Sequence, residues 1–185
     1  MGRAKTIDEV QLFQETEKLI LESGYAGFHF KALSERLGVA RSTIYNYYSK
    51  KEELITAFMV HLLEQVVENM DRASRSDDPV HALIQLWGRY ANIHQMMQVM
   101  PYIDKEASPK VQKSVEAMFQ LLQKMRSKIK DILIEEQQHG SVRDDVPLDT
   151  LAGFVMSAVQ IPYRHQSEEE WAEEVYKLIR SGLSA

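Results

Sequence analysis

Residues 30–54 read FKALSERLGVARSTIYNYYSKKEEL. Two short helical runs meet here at Gly38, and Leu33, Leu37, Val39 and Ile44 are spaced to pack together at the angle of a helix-turn-helix. The second run starts near Arg41 and turns a polar face outward, made of Arg41, Ser42, Thr43, Tyr45, Asn46 and Tyr47. Such groups donate to phosphates or read base edges, and an enzyme would gain little from crowding them on one short helix. With ~3.6 residues per turn, Tyr45 and Tyr47 cannot both join Ile44 in one core, so at least one points outward. Lys51 opens the next helix, where its charge opposes the macrodipole unless a phosphate or other anion lies nearby.

The same helical period extends in both directions. Val10, Phe13 and Ile20 mark the inner face of a first helix that stops at Gly24, a residue free to take the left-handed cap. Beyond Lys51, Leu54, Phe58, Leu62, Val66 and Met70 step by four along one long helix. The polar run Arg72 to Asp78 breaks it, and Pro79 suits the first turn of the next helix. Leu83, Trp87, Tyr90, His94 and Met97 stripe that helix, and the chain turns again between Pro101 and Pro109. Val111 to Ile132 predict a long amphipathic helix ending near Gly140, followed by two more over roughly residues 148–164 and 168–181. No strand alternation, repeat or flexible linker interrupts the pattern. The expected fold is all-α: a helix-turn-helix domain over residues 1–50 and a helical effector-binding and dimerisation domain over residues 51–185.

Charge follows this division. The chain of 185 residues has a net charge of -5, yet residues 1–51 hold eight Lys and Arg against six Asp and Glu. A mildly basic head therefore sits on an acidic body, and local charge rather than the total governs nucleic-acid binding. With no cysteine, a disulfide framework, thiolate metal ligation and a cysteine nucleophile are all excluded. The sequence lacks an apolar run of membrane-spanning length or a secretion signal at its start, which makes the expected location cytoplasmic and a membrane partner unexpected. His61, His81, His94, His139 and His165 form no i, i+4 pair, so no metal and no other cofactor is expected.

The run Gly38-Val39, Thr43-Ile44-Tyr45, Tyr47-Tyr48 and Lys51-Glu52, followed by Leu54, resembles the signature of TetR-family DNA-binding domains over about residues 6 to 55. That resemblance implies a transcriptional regulator in which Arg41, Ser42 and Tyr45 face the groove of double-stranded operator DNA and Lys31 reaches toward it. Thr43, Asn46, Tyr47 and Lys51 would hold phosphates. Three positions depart from the family pattern. Ala40 and His29 stand where a Ser or Thr often caps a helix, and Tyr48 replaces a more usual Phe. A lost cap costs on the order of 1 kcal/mol.

For the larger domain the resemblance implies a lipophilic effector cavity, to which Phe58, Leu62, Trp87, Tyr90, His94, Met97, Met118, Phe119, Leu122 and Phe154 are assigned. The residues alone leave alternatives open. Methionine packs ordinary cores as readily as it lines permissive cavities, and His94 fits a satisfied core position as well as a pocket. The resemblance also implies a homodimer through the last two helices, with Leu151, Val155, Val159, Trp171, Val175 and Leu178 at the interface. Two-fold symmetry would then present two heads to a pseudo-palindromic site. The favoured function is a repressor released by a small lipophilic effector, and not an enzyme. Its alternatives are a constitutive DNA-binding protein without a switch and, less favoured for want of a phosphate loop or nucleophile constellation, a helical-bundle enzyme.

Overall fold

Glycine and proline set where the helices stop. In the computed structural model, which describes residues 7–90, 98–162 and 167–184, α1 spans Glu9–Gly27, α2 Phe30–Leu37, α3 Arg41–Tyr45 and α4 Lys51–Ala73. They are followed by α5 at Pro79–Arg89, α6 at Pro109–Gln138, α7 at Leu148–Ser157 and α8 at Glu168–Leu183, with short 3-10 turns at Met100–Tyr102 and Ala158–Gln160. No strand occurs among the described residues. The expectations placed on His94 and Met97 lie outside them.

Helix ends carry the chemistry expected of them. Gly24 breaks α1 with φ 65° and ψ -178°, Gly38 closes α2 in the left-handed conformation, and Gly140 follows α6 with φ 74°. Asp78 caps α5 by accepting from the His81 N–H at 2.9 Å, with Pro79 in the first turn. Ser167 and Glu170 form a reciprocal capping box on α8. One helix falls short of its expected length: α7 gives way to a 3-10 turn after Ser157, and Ile161 is extended. Pro162 explains the extension, because its ring disfavours the helical conformation of the residue before it.

The chain forms two compact units. The first contains residues 7–62 together with 98–118. The second contains residues 63–90, 119–162 and 167–184. In the first unit, α1, α2 and α3 pack around Leu12, Leu33, Leu37 and Ile44, and the Phe13 and Phe58 rings lie 5.8 Å apart. Each such side chain contributes about 1.5–3 kcal/mol on burial.

In the second unit, α5 packs along α8 with Trp87 and Trp171 fully buried. Gly88 allows the approach: a Cβ there would lie 3.2 Å from Glu168 Cγ and 3.3 Å from Trp171 Cε3. The indole N–H of Trp87 donates to the Val155 carbonyl at 3.2 Å, tying α5 to α7. Trp87→Ala is therefore expected to cost about 3–5 kcal/mol of stability, read as a lowered urea midpoint.

The expected dimer residues differ in the surface they keep within the single chain. Leu151, Val155, Trp171 and Val175 are buried inside their own chain, with Val155 wholly inaccessible, so they have no surface left to offer a second copy. Val159 is half-buried, and Leu178 is 65% exposed. Of the six, those two keep surface outside. Phe154, assigned to a cavity, is 39% exposed, and Phe119 is 63% exposed. The Phe154 ring lies where a Cβ on Gly182 would meet it at 2.7 Å, and Leu178 is one helical turn from Gly182. An exposed apolar strip therefore crosses from α7 to α8.

Candidate nucleic-acid interface

The outward face of α3 stands on a fixed base. Ile44, Leu33 and Phe28 are fully buried beneath it, and Arg36 of α2 is ion-paired with Glu22 of α1. Arg41, Ser42, Tyr45, Asn46 and Tyr47 are exposed, Thr43 is half-buried, and Lys31 is exposed on α2. Tyr45 is braced although it faces outward. Its ring meets the edge of Phe30 at 5.1 Å, and its hydroxyl accepts from Arg41 Nη2 at 3.0 Å. The same guanidinium lies 5.4 Å from the Tyr45 ring centre, a cation–π contact that orients a long side chain. An arginine held this way loses less freedom when it forms a two-pronged base contact.

Beside this face lies a cleft of about 180 Å³, lined by Phe28, Phe30, Tyr45, Ser49, His29, Arg41, Lys50 and Lys51. No carboxylate is among its lining residues. Three permanent cations and an imidazole line it together with aromatic rings, an environment fit for a phosphate. His29 and Ala40 both stand at helix starts without a side-chain cap, as their types predict, which leaves the first N–H groups of α2 and α3 without that internal acceptor.

Lys51 has an internal partner that sequence reasoning missed. Its ammonium sits 3.8 Å from the Tyr25 ring centre and donates to the Tyr25 carbonyl at 3.3 Å. The neighbouring Glu52 accepts from the Tyr25 hydroxyl at 2.6 Å. Burial, reinforced by that carboxylate, raises the Tyr25 phenol above its usual range. The end of α1 is thereby fastened to the start of α4. Tyr48 is half-buried, and burial together with the Glu9 carboxylate pushes its phenol up to about 12.

A profile described as bacterial regulatory proteins, tetR family, matches residues 12–58. A second, described as the C-terminal domain of SbtR-like transcriptional regulators, matches residues 78–185. The chain belongs to the TetR family. An HTH-type transcriptional regulator of Mycobacterium tuberculosis is 31% identical over 72 residues, 39% of this chain and 30% of that protein. The match thus spans about 30% of that relative's length. The HTH-type transcriptional repressor DhaR of a Mycobacterium species is 23% identical over 164 residues, 85% of this chain and 81% of that one. Among solved structures, FadR of Bacillus subtilis in complex with stearoyl-CoA superposes with a TM-score of 0.71 at 16% identity, covering 95% of this chain and 100% of that one. AibR in complex with isovaleryl coenzyme A and operator DNA superposes at 0.67 with 14% identity, covering 92% and 96%. At these identities the superpositions establish the fold.

The residues assigned to an effector cavity are divided between the two units. Phe58, Leu62 and Met118 are buried and belong to the unit that carries the TetR-family head, whereas Trp87, Tyr90, Phe119, Leu122 and Phe154 belong to the other. Within that second unit Trp87 is buried, Tyr90 and Leu122 are half-buried, and the Tyr90 hydroxyl accepts from Asn69 Nδ2 at 3.2 Å. The sequence holds one Glu-x-x-His run of the kind bundle metalloenzymes use, Glu136 to His139. It lies where α6 ends and His139 is exposed. Among the described residues no three potential ligands gather around a common point, and no helix is long and apolar enough to cross a membrane.

Proposed function

We propose that this TetR-family protein is a sequence-specific DNA-binding repressor that acts as a homodimer and leaves its operator when a small lipophilic effector occupies its helical body. The observation that carries the DNA reading is the α3 face with its adjoining cationic cleft: Arg41 braced on Tyr45, and Lys50 and Lys51 beside it with no lining carboxylate. In this reading Arg41, Ser42 and Tyr45 face base edges with Lys31 nearby, while Thr43, Asn46, Tyr47 and Lys51 hold phosphates. Lys50 joins the second group because it lines the same cleft.

Dimerisation rests on the strip formed by Phe154 and Leu178, whose exposure a lone soluble chain has no need of. The effector reading draws on the company this fold keeps: FadR was solved with stearoyl-CoA, and AibR with isovaleryl coenzyme A and operator DNA. Acyl-CoA thioesters are accordingly the first effectors to try. Operator and effector are coupled only if the effector prefers one of two arrangements of the paired heads, and the coupling must be reciprocal. Mass spectrometry of small molecules extracted from the purified protein, followed by calorimetry with and without DNA, tests this. The recovered ligand should bind more weakly when DNA is present. Equal affinity in both conditions would leave the protein a DNA binder without a switch.

A further inference from the structure

The turn joining α3 to α4 carries Asn46, Tyr47 and Lys50 and leads into Lys51, the first residue of α4; its own N–H groups at Tyr47 and Tyr48 both donate to the Ile44 carbonyl at 3.0 Å. Helix α3 has five residues and no side-chain cap, and a helix that short is not stable by itself. A further restraint comes from residues some sixty positions later in the same compact unit. Lys110 Nζ donates to the Tyr47 carbonyl at 3.2 Å, and Lys50 Nζ donates to the Ala107 carbonyl at 2.6 Å. Between these two bonds lies Glu53, a carboxylate 4% exposed. It accepts from the Ser49 N–H at 2.9 Å and from the Ser108 hydroxyl, with Lys110 Nζ 3.9 Å away. The later segment is itself anchored, since Ile103 and Val111 are buried on either side of it and the Tyr102 ring stacks on Tyr25 at 6.2 Å.

We propose that Ala107, Ser108 and Lys110 form a positioning element for the DNA-contacting turn, so that the reading head is completed by a segment outside the helix-turn-helix. The inference rests on the DNA-binding reading above. Lys110 acts through the Tyr47 carbonyl, and through Glu53 on the Ser49 N–H, to hold the turn in one shape before DNA arrives. A turn ordered in advance spares the complex the cost of ordering it on binding. The bonds to Tyr47, Ser49 and Ala107 run from side chains to main-chain atoms, so losing the one from Lys110 loosens the turn without opening the core.

The test uses full-length protein carrying Lys110→Met, with Lys110→Arg as the conservative control. Amide hydrogen exchange is followed across residues 46–50 in the free protein. Affinity and its salt dependence are measured on the duplex that wild type recovers from a random-sequence library. Lys110→Met is expected to speed exchange in the turn while leaving α8 unchanged, and to weaken DNA binding about tenfold at an unchanged salt slope. Lys110→Arg should restore both. Unaltered exchange in the turn overturns the proposal whatever the affinity does, and unaltered affinity overturns it too. A salt slope lowered by about 2 per dimer would make Lys110 a phosphate contact instead and overturns the positioning role. If wild type recovers no preferred duplex, the DNA reading fails, and the exchange result still decides whether Lys110 orders the turn.

Discussion

Leu178→Glu is expected to turn the protein into folded monomers and to weaken operator binding by about 10²-fold or more, because two linked heads bind far more tightly than two separate ones. Leu178 is 65% exposed on α8, so a carboxylate there meets water in the single chain and is stranded only if a second copy covers it. Val155→Glu makes the contrast. Val155 is wholly buried beside the Trp87 indole, so its replacement is expected to unfold the body, with a cost of several kcal/mol. Sedimentation velocity and circular dichroism separate the two results. Wild-type protein that sediments as a monomer at micromolar concentration would end the dimer account.

Arg41→Ala and Lys51→Ala should fail in different ways. Arg41 presents a braced guanidinium that can reach a guanine edge by two bonds, so its loss should cost about 1–3 kcal/mol at one base pair of each half-site and relax choice there. Lys51 is a point charge at the start of α4, and its loss should weaken all DNAs alike. If it holds one phosphate in each protomer, the log–log salt slope falls by about 2 per dimer. The structure adds a control: Lys51 also grips the Tyr25 carbonyl and ring, so part of the lost affinity can arise from a loosened α1. A slope that does not move would assign Lys51 wholly to that internal role.

The sequence was most legible where one residue type has one physical reason to be there. Gly24 and Gly38 are glycines at positive φ, Pro79 lies in a first turn, and Ile44 is the single buried residue of α3. The helix-turn-helix could therefore be placed from a few positions. The body was harder to read, because an apolar stripe announces burial without saying against what. Trp171 and Val175 stripe α8 as expected, but they pack on α5 within the chain, while Leu178 on the same helix faces out. The Lys51 charge opposes the helix dipole at the start of α4, which by itself points to an anion ligand. The compensating Tyr25 ring and carbonyl lie on α1, twenty-six residues away. The segment carrying Lys110 left no local signature, since the bonds from Lys110 to Tyr47 and from Lys50 to Ala107 end on main-chain carbonyls that every residue possesses.

The central claim, that the α3 face reads sequence, is tested most directly by one comparison. The duplex selected from a random library and a scrambled duplex of the same length and composition are titrated with wild-type protein at one stated salt concentration. The account predicts a preference of about 10³-fold or more, with the selected sequence showing two related half-sites about one helical turn apart. Equal affinity for the two duplexes would contradict it and leave a protein that holds DNA by charge alone.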